Sequence, residues 1–444
     1  MFKMNLKLCI ILFFLMISKR ISSQKLWTLE DCISYAENNN LRIKQSKINI
    51  EAQENILKIS QKDYLPTVGI SANGSMNFGQ NVLLGTLQRN DNFSHNLSAN
   101  ASINLYNGGR ISKTIAKNKS DYSVAQYDFE NTKYEINLQL IQNFLQILLQ
   151  KEIYKINLEA KNYAQKMYEK TRLTTEAGIT SKAIEQESYA EMIRKNQLLE
   201  NAINEIDKAK LQLTSLLQLE NYQDFDVSDL LESSDYTMQN TDIEKLIAEA
   251  YRNNPSVQAA KQKIQSAKQQ TEISKTNYLP SVTLTSGVGS FFFQYFNKDF
   301  NSSVPFWQQY NNNFGQQIGV SVSVPVFNKG NAKLQQQQGY INQKIAENNL
   351  EITKQQLRSN VQKSYLDYES KLKNHKAILA SMEATQLSFS YAEKSFLAGK
   401  INIYELNTAK NNLMSIEGNL AQSKYNLIFG RFILNYLVYF KTMN

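Results

Sequence analysis

The chain has 444 residues, of which 42% are hydrophobic and 20% charged, and a formal net charge of +9. Two cysteines and two histidines are too few, and too scattered, for a disulfide framework or a histidine–cysteine metal site. No basic face of the kind that nucleic acid requires is found, so that class of partner is excluded.

Lys3 and Lys7 precede an apolar run from Leu8 to Ile17, and Ser22 and Ser23 offer small residues for cleavage before Gln24. This is the pattern of a secretory signal peptide over residues 1–23. Lys19 and Arg20, just after the run, are unusual for one. The rival is an N-terminal anchor, but the run is too short to span a bilayer. Cys9 lies inside the run, too near the start for a lipoprotein cysteine, so no lipid anchor is expected. Cleavage leaves Cys32, which reads as a half-buried helix residue, and 45 basic against 40 acidic side chains, a net +5.

Helical stretches are predicted at about 28–63, 108–173, 181–218, 242–277, 330–396 and 402–438. Thr241-Asp242-Ile243-Glu244 has capping-box spacing, and Thr28 to Asp31 is a weaker counterpart. Within the second stretch, Leu138, Ile141, Leu145 and Leu148 form one apolar row, and Ile136, Leu140, Phe144 and Ile147 form its neighbour. Two adjacent rows predict a helix packed on both sides, whereas a simple coiled-coil rod needs one.

Strands are predicted at about 66–79, 93–106, 281–293 and 314–327. Val68, Ile70, Ala72 and Met76 alternate with Asn, Ser, Thr and Gly, and Leu97, Ala99, Ala101, Ile103 and Leu105 do the same. In the second half Val282, Leu284 and Val288, then Ile318, Val320, Val322, Val324 and Val326, repeat the pattern. Period-2 alternation gives one apolar face and one small, uncharged polar face, which suits a membrane sheet lining a wet lumen. No later segment reads as a transmembrane helix; the most apolar, Phe432 to Phe440, is short and contains Asn435. Four strands cannot close a membrane barrel, and open edges in lipid leave backbone groups unpaired. The barrel must therefore be shared, and three protomers would give twelve strands. The aromatic residues Phe291, Phe292, Phe293, Tyr295 and Trp307 fit a membrane-interface girdle, with loop packing as the alternative.

The chain is one unit written twice. Ala36, Asn39-Asn40 and Lys47 recur as Ala250, Asn253-Asn254 and Lys261. Tyr64-Leu65-Pro66 recurs as Tyr278-Leu279-Pro280, and Asn107 and Gly109 as Asn328 and Gly330. Phe144-Leu145 matches Tyr365-Leu366, and Ala177-Gly178 matches Ala398-Gly399. The expected organisation is a signal peptide (1–23), a first repeat (24–218), an acidic inter-repeat segment (219–241) and a second repeat (242–444). Lys and Arg are absent between Leu211 and Glu244, while Glu220, Asp224, Asp226, Asp229, Glu232 and Asp235 fall there. By itself that segment reads as a solvated linker.

With these features in this order, the chain resembles the TolC family of outer-membrane efflux proteins. The opening Trp27-Thr28-Leu29-Glu30-Asp31-Cys32 resembles members from Bacteroidetes-type bacteria. The resemblance covers essentially all of the mature chain. It implies a mainly α-helical fold joined to a membrane β-barrel: a homotrimer with a long α-helical periplasmic barrel and a twelve-stranded β-barrel. It also implies a periplasmic adaptor, an inner-membrane transporter and outer-membrane lipid as partners. The acidic segment would then belong to the family's equatorial region. The turns Ala177-Gly178-Ile179 and Ala398-Gly399-Lys400 would meet the adaptor. Glu405 falls on an acidic position that rings the periplasmic entrance in the family. A second acidic position falls on Thr408, and the first-repeat equivalent is Ile184, so the doubly acidic constriction is not reproduced. Asn402 to Glu405 also has capping-box spacing, so ring and cap both stand as readings of Glu405. Phe396 matches a family aromatic near the gate, or packs its helix.

His95 and His375 lie far apart, and no zinc, phosphate-loop or nucleophile-elbow signature is present. No enzyme activity, cofactor or metal is expected. The expected function is a passive exit duct of a tripartite efflux pump or type I secretion system. The alternative is a secreted structural or adhesive coiled-coil protein, for which the duplicated amphipathic strands have no use.

Overall fold

The computed structural model describes residues 26–83, 86–89, 91–228, 242–296 and 304–440. The expected signal peptide, Thr241, and Asp229, Glu232 and Asp235 lie outside the described residues. The chain divides into two compact units, each drawing on both repeats. One comprises Met1–Lys47, Asp128–Val257 and Lys354–Asn444; the other comprises Ile48–Tyr127 and Gln258–Thr353.

In chain order the described elements begin with β1 (Leu26–Trp27), α1 (Leu29–Asn39) and α2 (Leu41–Lys62). Strands β2 (Thr67–Asn77), β3 (Gln80–Leu83), β4 (Thr86–Arg89) and β5 (Asn92–Tyr106) follow. Then come α3 (Arg110–Glu176), α4 (Lys182–Leu217) and β6 (Asp226–Val227). The second repeat contains α5 (Ile243–Asn253), α6 (Pro255–Lys275), β7 (Ser281–Tyr295), a short α7 (Phe306–Asn312) and β8 (Gly315–Ser323). It ends with α8 (Asn331–Leu397) and α9 (Ile403–Tyr439). Helices α3 and α8 have 67 residues each. At 1.5 Å per residue each is roughly 100 Å long.

The first and fourth expected helices are each broken once, at Asn40 and Asn254. Both residues are extended, with ψ of 128° and 122°. The Asn40 Oδ1 accepts from the Arg42 and Ile43 amides, and the Asn254 Oδ1 accepts from those of Ser256 and Val257. A side-chain acceptor that satisfies the free amides of a new first turn starts a helix afresh. The repeated asparagine pair is therefore a repeated helix junction, and Pro255 takes the first helical position, which needs no N–H donor. The Thr28–Asp31 capping box is complete. At α5, by contrast, the cap is Asp242, whose carboxylate accepts from the Glu244 amide.

In the helix-rich unit the core gathers one apolar row of α3 (Ile136, Leu140, Phe144 and Ile147) and most of the other (Ile141, Leu145 and Leu148) against α1, α4 and α9 residues, while Leu138 stays half-buried. Cys32 is fully buried here with Ala36, and is not a half-buried helix residue. The linker reading of the acidic segment also needs correction where the segment is described. Phe225 and Val227 are 2% and 1% exposed in the same core, and β6 pairs in parallel with β1. Asp226 accepts from Lys151 at 2.8 Å, with Lys210 at 3.5 Å. The acidic pattern hides two apolar anchors that only a distant strand and helix can bury.

In the other unit β2, β5, β7 and β8 form a four-stranded antiparallel sheet in the order β2-β5-β7-β8. The β5–β7 pairing joins the two repeats. Strands β2 and β8 are its edges. All helix connections of these strands leave from one end of the sheet. The β3–β4 hairpin and α7 lie in the connections at the other.

Candidate functional site

The two turns follow one design. At the first, Gly178 has φ +73°; its amide donates to the Thr175 carbonyl at 2.9 Å, and that of Ile179 to Thr174 at 2.8 Å. At the second, Gly399 has φ +68°, with Gly399 to Phe396 at 3.0 Å and Lys400 to Ser395 at 2.9 Å. These are the paired bonds of a helix stop that requires a left-handed residue. A Cβ at either glycine meets nothing within 4 Å. Gly178→Ala and Gly399→Ala are therefore each expected to cost only about 1 kcal/mol, from backbone strain without a clash. Denaturant midpoints followed by circular dichroism check this. Ala177, Ile179, Ala398 and Lys400 complete the turns; Ile179 is 76% exposed. The first turn is stiffened by hydroxyls: Thr180 Oγ1 lies 2.9 Å from Thr174 Oγ1 and 2.8 Å from Thr175 Oγ1.

Beyond the second turn, Asn402 caps α9. Its Oδ1 accepts from the Glu405 amide and its Nδ2 donates to the Glu405 carboxylate, both at 2.9 Å. Glu405 thus makes a local cap contact while its side chain stays exposed. Thr408 is exposed too, and its hydroxyl donates to the Tyr404 carbonyl. Glu405, Thr408 and Tyr404 share a groove with Ser381, Thr385 and Ser388 of α8. Tyr404, which sequence reasoning passed over, is 69% exposed there. Phe396 is half-buried, with the Lys170 ammonium 5.8 Å from its ring centre.

A buried polar cluster further along α4 is also absent from the sequence reading. Glu191 and Lys195 of α4 each have 9% side-chain exposure and lie 3.3 Å apart. Arg194 reaches Glu191 at 2.7 Å. The Lys195 ammonium donates to Asn411 Oδ1 of α9 at 2.5 Å, joining the two repeats. Burial pushes the Glu191 carboxyl up most strongly, but its bonds to Arg194 and Lys195 together outweigh that and hold it below the usual carboxylate range. In sequence these residues look like ordinary i, i+3 and i, i+4 surface pairs.

Register sorts the sheet into two faces. Thr67–Ser102, Ser71–Ser98 and Ser75–Ser94 are cross-strand hydroxyl pairs at 2.9, 2.8 and 2.7 Å, and Asn77 donates to Asn92. That face carries only Asn, Gln, Ser, Thr and Gly until Phe291, Phe293 and Tyr295 at its loop end. The opposite face carries Val68, Ile70, Leu97, Ala99, Leu284, Val288, Ile318, Val320 and Phe292. The expected girdle residues are thus divided: Phe292 stands on the apolar face, and Phe291, Phe293 and Tyr295 on the polar one. Trp307 belongs to α7, which packs on the apolar face through Phe306 against Phe292 at 4.8 Å between ring centres.

A two-faced sheet with an exposed apolar side, in a chain that also has two very long helices, is the make-up of a membrane β-barrel component. The chain matches the outer membrane efflux protein family over residues 32–218 and 246–428, and it belongs to that family. Similar solved structures include the transmembrane channel CusC, with a TM-score of 0.77 and 16% identity over 92% of this chain and 91% of that chain. The CmeC outer membrane channel of Campylobacter jejuni gives 0.74 and 16% over 93% and 85%. The outer membrane protein VceC of Vibrio cholerae gives 0.74 and 13% over 93% and 96%. No curated protein matches the chain in sequence. The TolC-like fold with internal duplication follows from these likenesses. The protein is an outer-membrane efflux channel that extends into the periplasm. The reading as a secreted structural rod falls with this assignment.

Proposed function

We propose that the protein is the homotrimeric exit duct of a tripartite efflux pump or type I secretion system. It conducts substrates passively from a periplasm-spanning assembly to the outside. The observation that carries this reading is the four-stranded sheet with an apolar face and two edges, β2 and β8, that pair with no other strand among the described residues. In lipid those edges need partners, and neighbouring protomers supply them when three sheets close a twelve-stranded barrel. The uncharged polar face then lines the lumen. Phe292 and Trp307 stand on the lipid side of the rim, and Phe291, Phe293 and Tyr295 on its channel side.

The helix turns at Gly178 and Gly399 are the adaptor contacts in this reading. Ile179 offers an exposed apolar knob and Lys400 a cation. An inner-membrane transporter supplies the energy in this reading. Electron microscopy of protein extracted from outer membranes in mild detergent tests the reading. Threefold cylinders with a stain-filled channel support it, and monomers or solid rods refute it. Glu405 would place three carboxylates around the periplasmic entrance while capping α9. Glu405→Gln keeps the cap acceptor and removes the charge. It is expected to weaken block by divalent cations in planar-bilayer recordings without lowering thermal stability; unchanged block would leave Glu405 as a cap alone.

A further inference from the structure

Helix α7 lies in the connection between β7 and β8. It has seven residues, Phe306–Asn312, no charged side chain and no side-chain cap on its first turn. So short a helix is unstable alone and must be held by its surroundings. What holds it is the edge of β7. Strand β8 pairs with β7 only as far as Gly315 opposite Gly289, although β7 continues to Tyr295. Two of the backbone groups that β8 leaves behind are taken up from the α7 segment. Gln309 Oε1 accepts from the Phe293 amide at 3.1 Å, and Asn313 Nδ2 donates to the Phe291 carbonyl at 2.8 Å. Gln309 is 8% exposed, and its side-chain Nε2 donates to the Val304 carbonyl. Ser290 donates to the Tyr310 carbonyl at 2.6 Å, and the Tyr310 hydroxyl meets His95.

A strand edge in water needs none of these bonds, because water satisfies it. A strand edge facing hydrocarbon needs all of them. Ser290, Phe292 and His95, which α7 covers, belong to the apolar face by register. Trp307 projects from the outer side of this assembly with 79% of its surface exposed. Tryptophan at such a place, apolar in body and carrying one N–H donor, suits the boundary between acyl chains and headgroups.

We propose that α7 is a lipid-facing clasp at the outer end of the barrel. It seals the β7 edge that β8 leaves open, and it sets Phe306 and Trp307 into the acyl–headgroup boundary. The occupant of this surface is membrane lipid. The inference rests on the outer-membrane channel reading and adds a second means of edge satisfaction, within one chain, beside pairing between protomers.

The chain has two tryptophans, so the emission of wild type minus that of Trp307→Phe isolates Trp307. The full protein is reconstituted into phosphatidylcholine vesicles brominated at defined acyl positions, and insertion is scored by co-flotation. The expected result is a blue-shifted Trp307 emission that is lost most strongly with bromines near the headgroup end and resists aqueous iodide. Inserted protein whose Trp307 is quenched by iodide and spared by bromolipid overturns the clasp and leaves the channel reading intact. Protein that fails to insert overturns both. Gln309→Leu, which keeps the bulk of the side chain but removes the edge bond, should move Trp307 emission to the red and raise its iodide quenching. No change would show that α7 does not depend on the β7 edge.

Discussion

Lys195→Ala is expected to destabilise the protein by about 3 kcal/mol, at the lower end of the cost of leaving a buried charge without its partner. The lower end applies because Arg194, itself 56% exposed, still reaches Glu191 at 2.7 Å. The variant also loses the Lys195–Asn411 bond, which ties α4 to α9. Thermal loss of helical circular dichroism in detergent reads the effect. The double variant Glu191→Leu with Lys195→Met removes both charges and should recover most of the loss, since an apolar pair of similar volume replaces a buried ion pair at little cost. Recovery by the single Lys195→Met change alone would show that packing, and not charge, is the contribution of Lys195.

The same cluster makes a pH prediction. The Glu191 carboxyl is held below its unfolded value, so it binds its proton more readily when the chain is unfolded. Its contribution is complete above the ordinary carboxylate pKa of about 4.3 and is lost as pH falls through the lower folded value. In Lys195→Ala, burial gains weight against the single remaining Arg194 bond. The folded value therefore moves up toward the unfolded one, and less stability should be lost on acidification than in wild type. Identical acid profiles would remove Glu191 as a source of acid sensitivity.

Gly108→Ala is the second large effect, expected at about 3 kcal/mol, from left-handed strain together with overpacking. Gly108 has φ +66°, and a Cβ there would stand 2.8 Å from Leu279 Cβ and 3.0 Å from its Cδ1. Leu279 is the middle residue of the second Tyr-Leu-Pro block, so the clash would fall where β5 turns into α3. Gly109→Ala is the control. Its φ of +77° is as demanding, but the nearest atom to a Cβ is Ser112 Oγ at 3.7 Å, so only about 1 kcal/mol is expected. Leu279→Ala should rescue Gly108→Ala only in part, because the closest contact is with Leu279 Cβ, which alanine retains. The amount of folded protein in outer-membrane fractions and the melting temperature measure both. Equal losses at Gly108 and Gly109 would show that backbone strain alone operates.

Much of this architecture was legible locally. Alternation at Val68, Ile70 and Ala72 is a face assignment in itself, because a strand sends successive side chains to opposite sides. The doubled row in α3 announced neighbours on two sides, and every member but the half-buried Leu138 is buried. Ala-Gly turns and the Asn402–Glu405 spacing placed the helix stop and the restart, because capping acts within one turn. The splitting of α1 from α2 is not legible in the repeated Asn40 and Asn254, since an asparagine in a helical pattern reads as a tolerated surface residue and only its side-chain bonds to the next turn mark a new start.

What the sequence by itself determined is the duplication, the type and extent of nearly every long element, and which side of each strand is apolar. All of these depend on interactions within a few residues, where spacing and chemistry suffice. The tertiary structure decided which distant groups meet. It paired β5 with β7, drew Cys32, Phe225 and Val227 into one core, and turned Glu191 and Lys195 from apparent surface charges into a buried link to Asn411. It also laid α7 over the open edge of β7 and divided the aromatic run between two faces. Those outcomes depend on desolvation and on partners remote in the chain, and local periodicity carries no record of either.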